Sequence, residues 1–279
     1  RRSWLRATSQ AVAVLALASC GYLAEKGEES RGTENLPSQG IGPWVKYDAV
    51  CSDEKPVPPG ASPDLSLQPV ILGSSVGHVM AEPSAVLEPD GSLTIFYEDR
   101  TSTRSEIRRA RVVLGPEDNC RPALVTVQED DVVFTPASGG FEAGRVSAPS
   151  VVRGGALSGL ASGLDSTYAM VYSGGEGGGL GLAVSTDGKS WKRVGPDGRE
   201  LNARSPAPIL SADAGGWDGG AIGSPALVQR PDGVWLLYFD GNRRGSRSIG
   251  VATSHDGVRF TRTDLEGRTG AAAGAIVTP

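Results

Sequence analysis

The chain has 279 residues, with 27 Lys and Arg against 32 Asp and Glu and a formal net charge of −5, so its surface repels phosphate backbones and nucleic acid is not an expected partner. With 39 Gly and 19 Pro and no sustained helical periodicity beyond the N-terminus, the composition fits short strands joined by tight turns and excludes a helical bundle or coiled coil. The 3 Cys and 2 His share no metal-ligand spacing, which excludes a zinc site of ordinary type.

Residues 1–19 read as an export signal. Arg1, Arg2 and Arg6 give a positive start, and Ala11 to Ala18 form an apolar stretch too short to span a bilayer. Leu17-Ala18-Ser19-Cys20 resembles the bacterial lipobox, which implies cleavage before Cys20, acylation of that residue and anchoring in a membrane. Gly21 after it resembles lipoproteins passed to the outer membrane of Gram-negative cells. An ordinary secretory signal with an incidental cysteine is the alternative. In an exported chain the two remaining thiols, Cys51 and Cys120, are expected to form a disulfide.

Residues 20–40 are polar and charged and read as a flexible tether. From 41 to 279 the expectation is one domain, opening on an isolated strand at Trp44-Val45-Lys46-Tyr47 and a Pro-rich stretch over 56–69.

An internal repeat then organises the chain. Residues 83–110 align without a gap with 225–252: Pro83 with Pro225, Pro89-Asp90-Gly91 with Pro231-Asp232-Gly233, Phe96-Tyr97 with Tyr238-Phe239, and Ile107 with Ile249. A third copy between them opens at Pro149 and runs through Tyr168–Gly174 to Leu180–Ala183. The approaches repeat as well, since Gly140 to Pro149 matches Gly216 to Pro225 position by position. A weaker echo at Gly270 to Pro279 reads as the start of a fourth unit.

Each unit reads as four antiparallel strands, in the third copy Ala226–Val228, Val234–Phe239, Ile249–Thr253 and Phe260–Arg262. The second strand is apolar at successive positions, so both its faces must be covered. Propeller blades packed side by side around an axis satisfy this. The fold class expected is therefore all-β, a β-propeller of four-stranded antiparallel blades. Strands three and four are joined by Ser185-Thr186-Asp187-Gly188 and Ser254-His255-Asp256-Gly257, where Asp-Gly predicts a type I′ hairpin and His255 faces solvent. The start of strand one and the loop between strands two and three lie at one end of a blade, and these Asp-Gly turns lie at the other.

Trp217-Asp218-Gly219-Gly220, Ser224-Pro225-Ala226, the strand ending Tyr238-Phe239-Asp240-Gly241, and Ile249 to Gly257 together resemble the five-bladed β-propeller glycosidase superfamily, which includes glycoside hydrolase families 43, 32 and 130. The resemblance covers roughly residues 70–279 and implies five blades, hence a chain truncated at its C-terminus after about three to four. It implies a glycan-processing activity with carboxylates standing before or near the blade-opening prolines: a base in the first blade, a modulating Asp in the second, an acid in the third. Only Glu82 keeps a carboxylate at those positions, because Ala148 and Ser224 cannot transfer protons.

Glycoside hydrolysis generally needs two carboxyl groups, one protonated and one ionised. The candidate catalytic set is Glu82 with Asp218 or Asp240. Trp217 is the candidate sugar platform, and Asp99, Arg100 and Arg243 are candidates for substrate binding, the arginines for anionic sugars. Each has a structural alternative. Glu82 caps a strand start, Asp218 and its counterpart Glu142 satisfy loop amides, Asp240 braces a loop, and Trp217 packs between blades as Phe141 does. No cofactor is expected; a divalent cation occurs on the axis of some relatives, but no ligand spacing here announces one. Three functions stay open: a glycoside hydrolase acting on an extracellular oligosaccharide or polysaccharide, a carbohydrate-binding propeller without turnover, and a structural lipoprotein.

Overall fold

The computed structural model describes residues 77–114, 125–155, 157–175, 178–202, 204–263 and 275–277. The expected signal, Cys20, the tether, the strand at 44–47 and the Cys51–Cys120 pair lie outside these residues.

Among the described residues the fold is all-β. The first sheet contains β1 (Val79–Leu87), β2 (Leu93–Arg100), β3 (Ser105–Leu114) and β4 (Val125–Phe134); the second contains β5 (Val146–Arg153), β6 (Tyr168–Gly174), β7 (Leu180–Ser185) and β8 (Lys192–Val194). The third contains β9 (Ala221–Gln229), β10 (Trp235–Arg243), β11 (Ser246–Ser254) and β12 (Thr261–Arg262). All three run in chain order and are antiparallel, as propeller blades do. A last strand, β13 (Ala275–Val277), pairs with β11 through Ile249 and Gly250. This corrects the reading of 270–279 as a fourth opening. Residues 275–277 lie at the outer edge of the third blade, as Leu210 does opposite Leu180 and Phe134 opposite Ile107.

The middle blade shows why the units must stack. Every residue of β6 and β7 is buried. Tyr168, Met170 and Tyr172 pack with Phe96, Ile107 and Phe134 of the first blade, while Ala169 and Val171 on the opposite face join Leu227, Trp235, Leu237 and Phe239 of the third. Burying a large apolar side chain in this way stabilises by about 1.5–3 kcal/mol, which a lone sheet cannot gain on two faces. The equivalent strand β10 alternates between buried and half-buried positions. Its continuous apolar run therefore has a fully covered face and a partly covered one.

Each first strand is longer than the sequence pattern implies, because it continues through its proline by means of a bulge. Register shifts fall between Ala81 and Ser84, between Ser147 and Ser150, and opposite Tyr238 and Asp240, so that two residues oppose Tyr97, Tyr172 and Phe239 in turn. The first residue of each bulge is left-handed: φ is 50° at Glu82, 46° at Ala148 and 45° at Ser224. Directly after the first two prolines, a serine fastens its blade to the next. The Val151 N–H donates to Ser84 Oγ and the Leu227 N–H to Ser150 Oγ, both at 2.9 Å.

The Asp-Gly turns differ from a type I′ hairpin. Gly188 and Gly257 have φ of 70° and 76°, but Asp187 and Asp256 are not left-handed. The turns are held by side chains instead. Ser185 Oγ accepts from the Gly188 N–H while Asp187 Oδ1 accepts from the Lys189 and Ser190 N–H groups, and Ser254 and Asp256 repeat the pattern. Donation from Ser190 foremost pulls the Asp187 carboxyl down to about 2. Trp191 folds back as expected, donating from Nε1 to the Gly188 carbonyl and meeting Phe96 edge-on at 5.7 Å.

The approach loops carry a second repeated device. Glu142 is completely buried; its carboxylate accepts from Tyr172 Oη, from the Ala137 N–H, and from Arg193 at 2.7 and 2.8 Å. Arg193 also donates to the Thr135 carbonyl on the connector from the preceding blade. Asp218 repeats this. It is completely buried, accepts from Arg262 at 2.6 and 3.0 Å and from the Asp213 N–H, and Arg262 donates onward to the Ser211 carbonyl. Truncating one partner of a buried pair strands the other charge. Glu142→Ala and Asp218→Ala should each lower the unfolding free energy by about 3–5 kcal/mol in denaturant titration; losses below about 1 kcal/mol would show that the pairs behave as solvated surface pairs.

Candidate functional site

A cavity of about 700 Å³ opens at the end of the blades where the first strands begin, opposite the Asp-Gly turns. Its wall is built from equivalent positions of the three blades. The left-handed residues contribute Glu82, Ala148 and Ser224, and the residues leaving the second strands contribute Glu98, Ser173 and Asp240. These two sets come together because of the bulge: Ala81 pairs with Glu98, Ser147 with Ser173 and Gly223 with Asp240, immediately before the extra residue. Arg100, Arg145, Arg247 and Asn242 complete the charged and polar lining.

Three carboxyls therefore share one space, two from the first blade and one from the third. Burial raises the Glu82 carboxyl above the ordinary range, and the charge of Asp240 raises it further against the opposing pull of Arg100. Glu98 is only 2% exposed. Burial raises it too; Arg100 and Arg145 counter this, and Glu82 and Asp99 reinforce it. Asp240 is raised by burial, opposed by Arg247, whose Nη1 lies 3.2 Å from Oδ2, and by the Gly223 N–H. Gly223 makes that approach possible, because a Cβ there would stand 3.1 Å from Asp240 Oδ1.

The structure brings Glu82, Asp240 and Arg100 together and removes the other candidates. Asp218 is buried in its clamp with Arg262, outside the cavity, so it has no route to a substrate. Trp217 stacks on Phe239 at 5.5 Å and covers Gly241, so it is core and offers no open platform. Asp99 points away from the cavity because successive strand side chains alternate; its Oδ1 lies 2.7 Å from His78 Nδ1. Alternation also sets Arg243 off the wall that Asn242 lines, and it donates to the Gly215 carbonyl.

Glu98 leaves the second strand of its blade at the position equivalent to Asp240, so its place at this end of the blade was visible in the repeat. Arg145 was visible as a candidate from the entry loop of the second blade. Arg247 needed the hairpin register that sets it opposite Asn242, which spacing alone does not give.

No family model matches this chain, and no curated protein matches it. Several solved structures of glycoside hydrolases are similar to it. They include a glycosyl hydrolase from Bacteroides ovatus (16% identity, TM-score 0.44, covering 72% of this chain and 52% of that one). An endo-1,4-β-xylanase from Bacteroides thetaiotaomicron is similar at 19% identity and TM-score 0.45, covering 70% of this chain and 61% of that one. Fructan 1-exohydrolase IIa from Cichorium intybus is similar at 15% identity and TM-score 0.47, covering 73% and 35%. The chain thus spans about half the length of the Bacteroides ovatus protein.

A carboxyl raised by folding favours the folded state below its unfolded-state pKa, and that contribution is lost as pH rises through the folded-state value. Glu98→Gln removes the charged form. It should stabilise the protein by about 1 kcal/mol near neutral pH, and the gain should vanish when unfolding is measured below the ordinary carboxylate range. A loss of stability near neutral pH would contradict this electrostatic picture.

Proposed function

We propose that this protein is an exported, lipid-anchored glycoside-processing enzyme whose chemistry takes place in the cavity between the blades, on an extracellular oligosaccharide or polysaccharide. The observation that carries the reading is the convergence of Glu82, Glu98 and Asp240 on one cavity, with the Glu82 carboxyl raised above the ordinary range by burial and then by the neighbouring charge of Asp240.

The two carboxyls facing each other across the blades sit in different settings. Asp240 has the Arg247 guanidinium at 3.2 Å and a backbone N–H on its carboxylate, both of which favour its ionised form against burial. Glu82 has no hydrogen-bond donor among the described residues, and burial and the neighbouring charge of Asp240 favour its protonated form against the pull of Arg100. Environments of this kind divide acid from base. Glu82 is accordingly the proton donor to the departing glycosidic oxygen, and Asp240 is the ionised partner that activates water or attacks the sugar. Cys20 and the residues before it support export and anchoring.

Ala148 and Ser224 favour a second reading. The same cavity, lacking carboxyls at two of its three bulges, would bind glycan without turning it over.

On a panel of glycans, the full-length protein should release sugar with a bell-shaped pH profile. Glu82→Gln and Asp240→Asn should each lower kcat/KM by about 10²–10⁴-fold, and Glu82→Gln should also abolish the alkaline limb. Glycan binding without turnover, unchanged in Glu82→Gln, would instead establish the binding reading. Cys20→Ser should release the protein from the membrane fraction; retention there would refute the anchor.

A further inference from the structure

We infer that the cavity selects an acidic glycan, a sugar residue bearing a carboxylate, and that Arg100 is the group that grips it. The inference rests on the glycan reading above and narrows it to a substrate class.

Three guanidinium groups reach the cavity from three places: Arg100 at the end of β2, Arg145 on the approach to β5, and Arg247 at the start of β11. Two of them are engaged. Arg145 Nη2 donates to the Ser102 carbonyl at 2.8 Å, and Arg247 pairs with Asp240 at 3.2 Å. Arg100 makes no hydrogen bond among the described residues. Its closest ion-pair contact is Nε at 3.9 Å from Glu98 Oε1, too long for a hydrogen bond, and its side chain is 47% exposed at the cavity wall. A planar fork of N–H donors held beside a cavity with nothing to donate to fits one ligand group best, a carboxylate taken in two parallel bonds.

Glu98 is an independent second observation. It lines the cavity, is only 2% exposed, and its carboxyl has no hydrogen-bond donor among the described residues. A buried carboxyl without a donor is costly unless something supplies one, and a sugar hydroxyl does. Arg100 and Glu98 therefore present a donor fork and an acceptor side by side, matching a uronic acid, in which a carboxylate lies close to ring hydroxyls.

The test is calorimetric binding to the full-length Glu82→Gln protein, which separates recognition from turnover. The probes are D-glucuronate, D-galacturonate and D-mannuronate, each against its parent hexose, with inorganic phosphate as a separate arm. At least one uronate should bind about tenfold more tightly than its hexose. Arg100→Met should remove that preference while leaving hexose binding within about twofold, and Arg100→Lys, which keeps the charge and loses the fork, should fall between. Circular dichroism on each variant checks folding. Hexoses binding as well as uronates, or Arg100→Met weakening both alike, would overturn the acidic-glycan inference and leave the glycan reading standing. Binding of phosphate alone would overturn it in favour of a simple anion site. Binding of none of the probes would count against both readings.

Discussion

Two residues set against one at the opening of each blade, the first held in the left-handed region, form the constraint from which both the core and the cavity follow. A left-handed non-glycine residue costs of order 1–3 kcal/mol, and this chain places one before each of three successive prolines. The compensation is local. The extra residue turns Glu82, Ala148 and Ser224 into the cavity, and the residue two positions later, Ser84 or Ser150, falls where its hydroxyl receives an N–H from the next blade. In the third blade that place is taken by Ala226, so this staple joins the first blade to the second and the second to the third.

The carboxylates divide into two classes by how completely they are matched. Glu142 and Asp218 are wholly buried, yet each receives an arginine and a backbone N–H, so burial leaves little unsatisfied. They tie approach loops and connectors to the outer strands Arg193 and Arg262 occupy. Glu98 is buried and Glu82 and Asp240 are half-buried, with fewer donors than they can accept and with one another's charges nearby. A protein gains no stability from that arrangement, which is the usual mark of groups kept for chemistry.

Much of the architecture was legible because the repeat exposes equivalent residues. The prolines, the paired Tyr172 and Phe239, and the end of the blade where the cavity opens all follow from alignment of the copies, and Tyr172 and Phe239 do occupy the same place opposite successive bulges. What alignment lacks is the direction of a side chain on a bulged strand. Glu98 and Asp99 are adjacent in the chain, yet one faces the cavity and the other His78. Trp217 and Asp218 look like a sugar platform and an acid from their composition. The close packing over Gly241, where a Cβ would lie 2.2 Å from the indole, shows them to be core. Likewise Asp-Gly suggests a hairpin type by preference alone, whereas the serine two residues before each Asp decides the turn by accepting its amides.

Mutual electrostatic influence among three carboxyls in one space defines the site, and carboxyl-carbon NMR titration of Glu82, Glu98 and Asp240 measures it directly. All three are expected to titrate above ordinary side-chain carboxylates, the Glu98 midpoint falling in Glu82→Gln and the Glu82 midpoint falling in Asp240→Asn. Three ordinary, independent titrations, unmoved by either substitution, would mean that these groups do not form a common site.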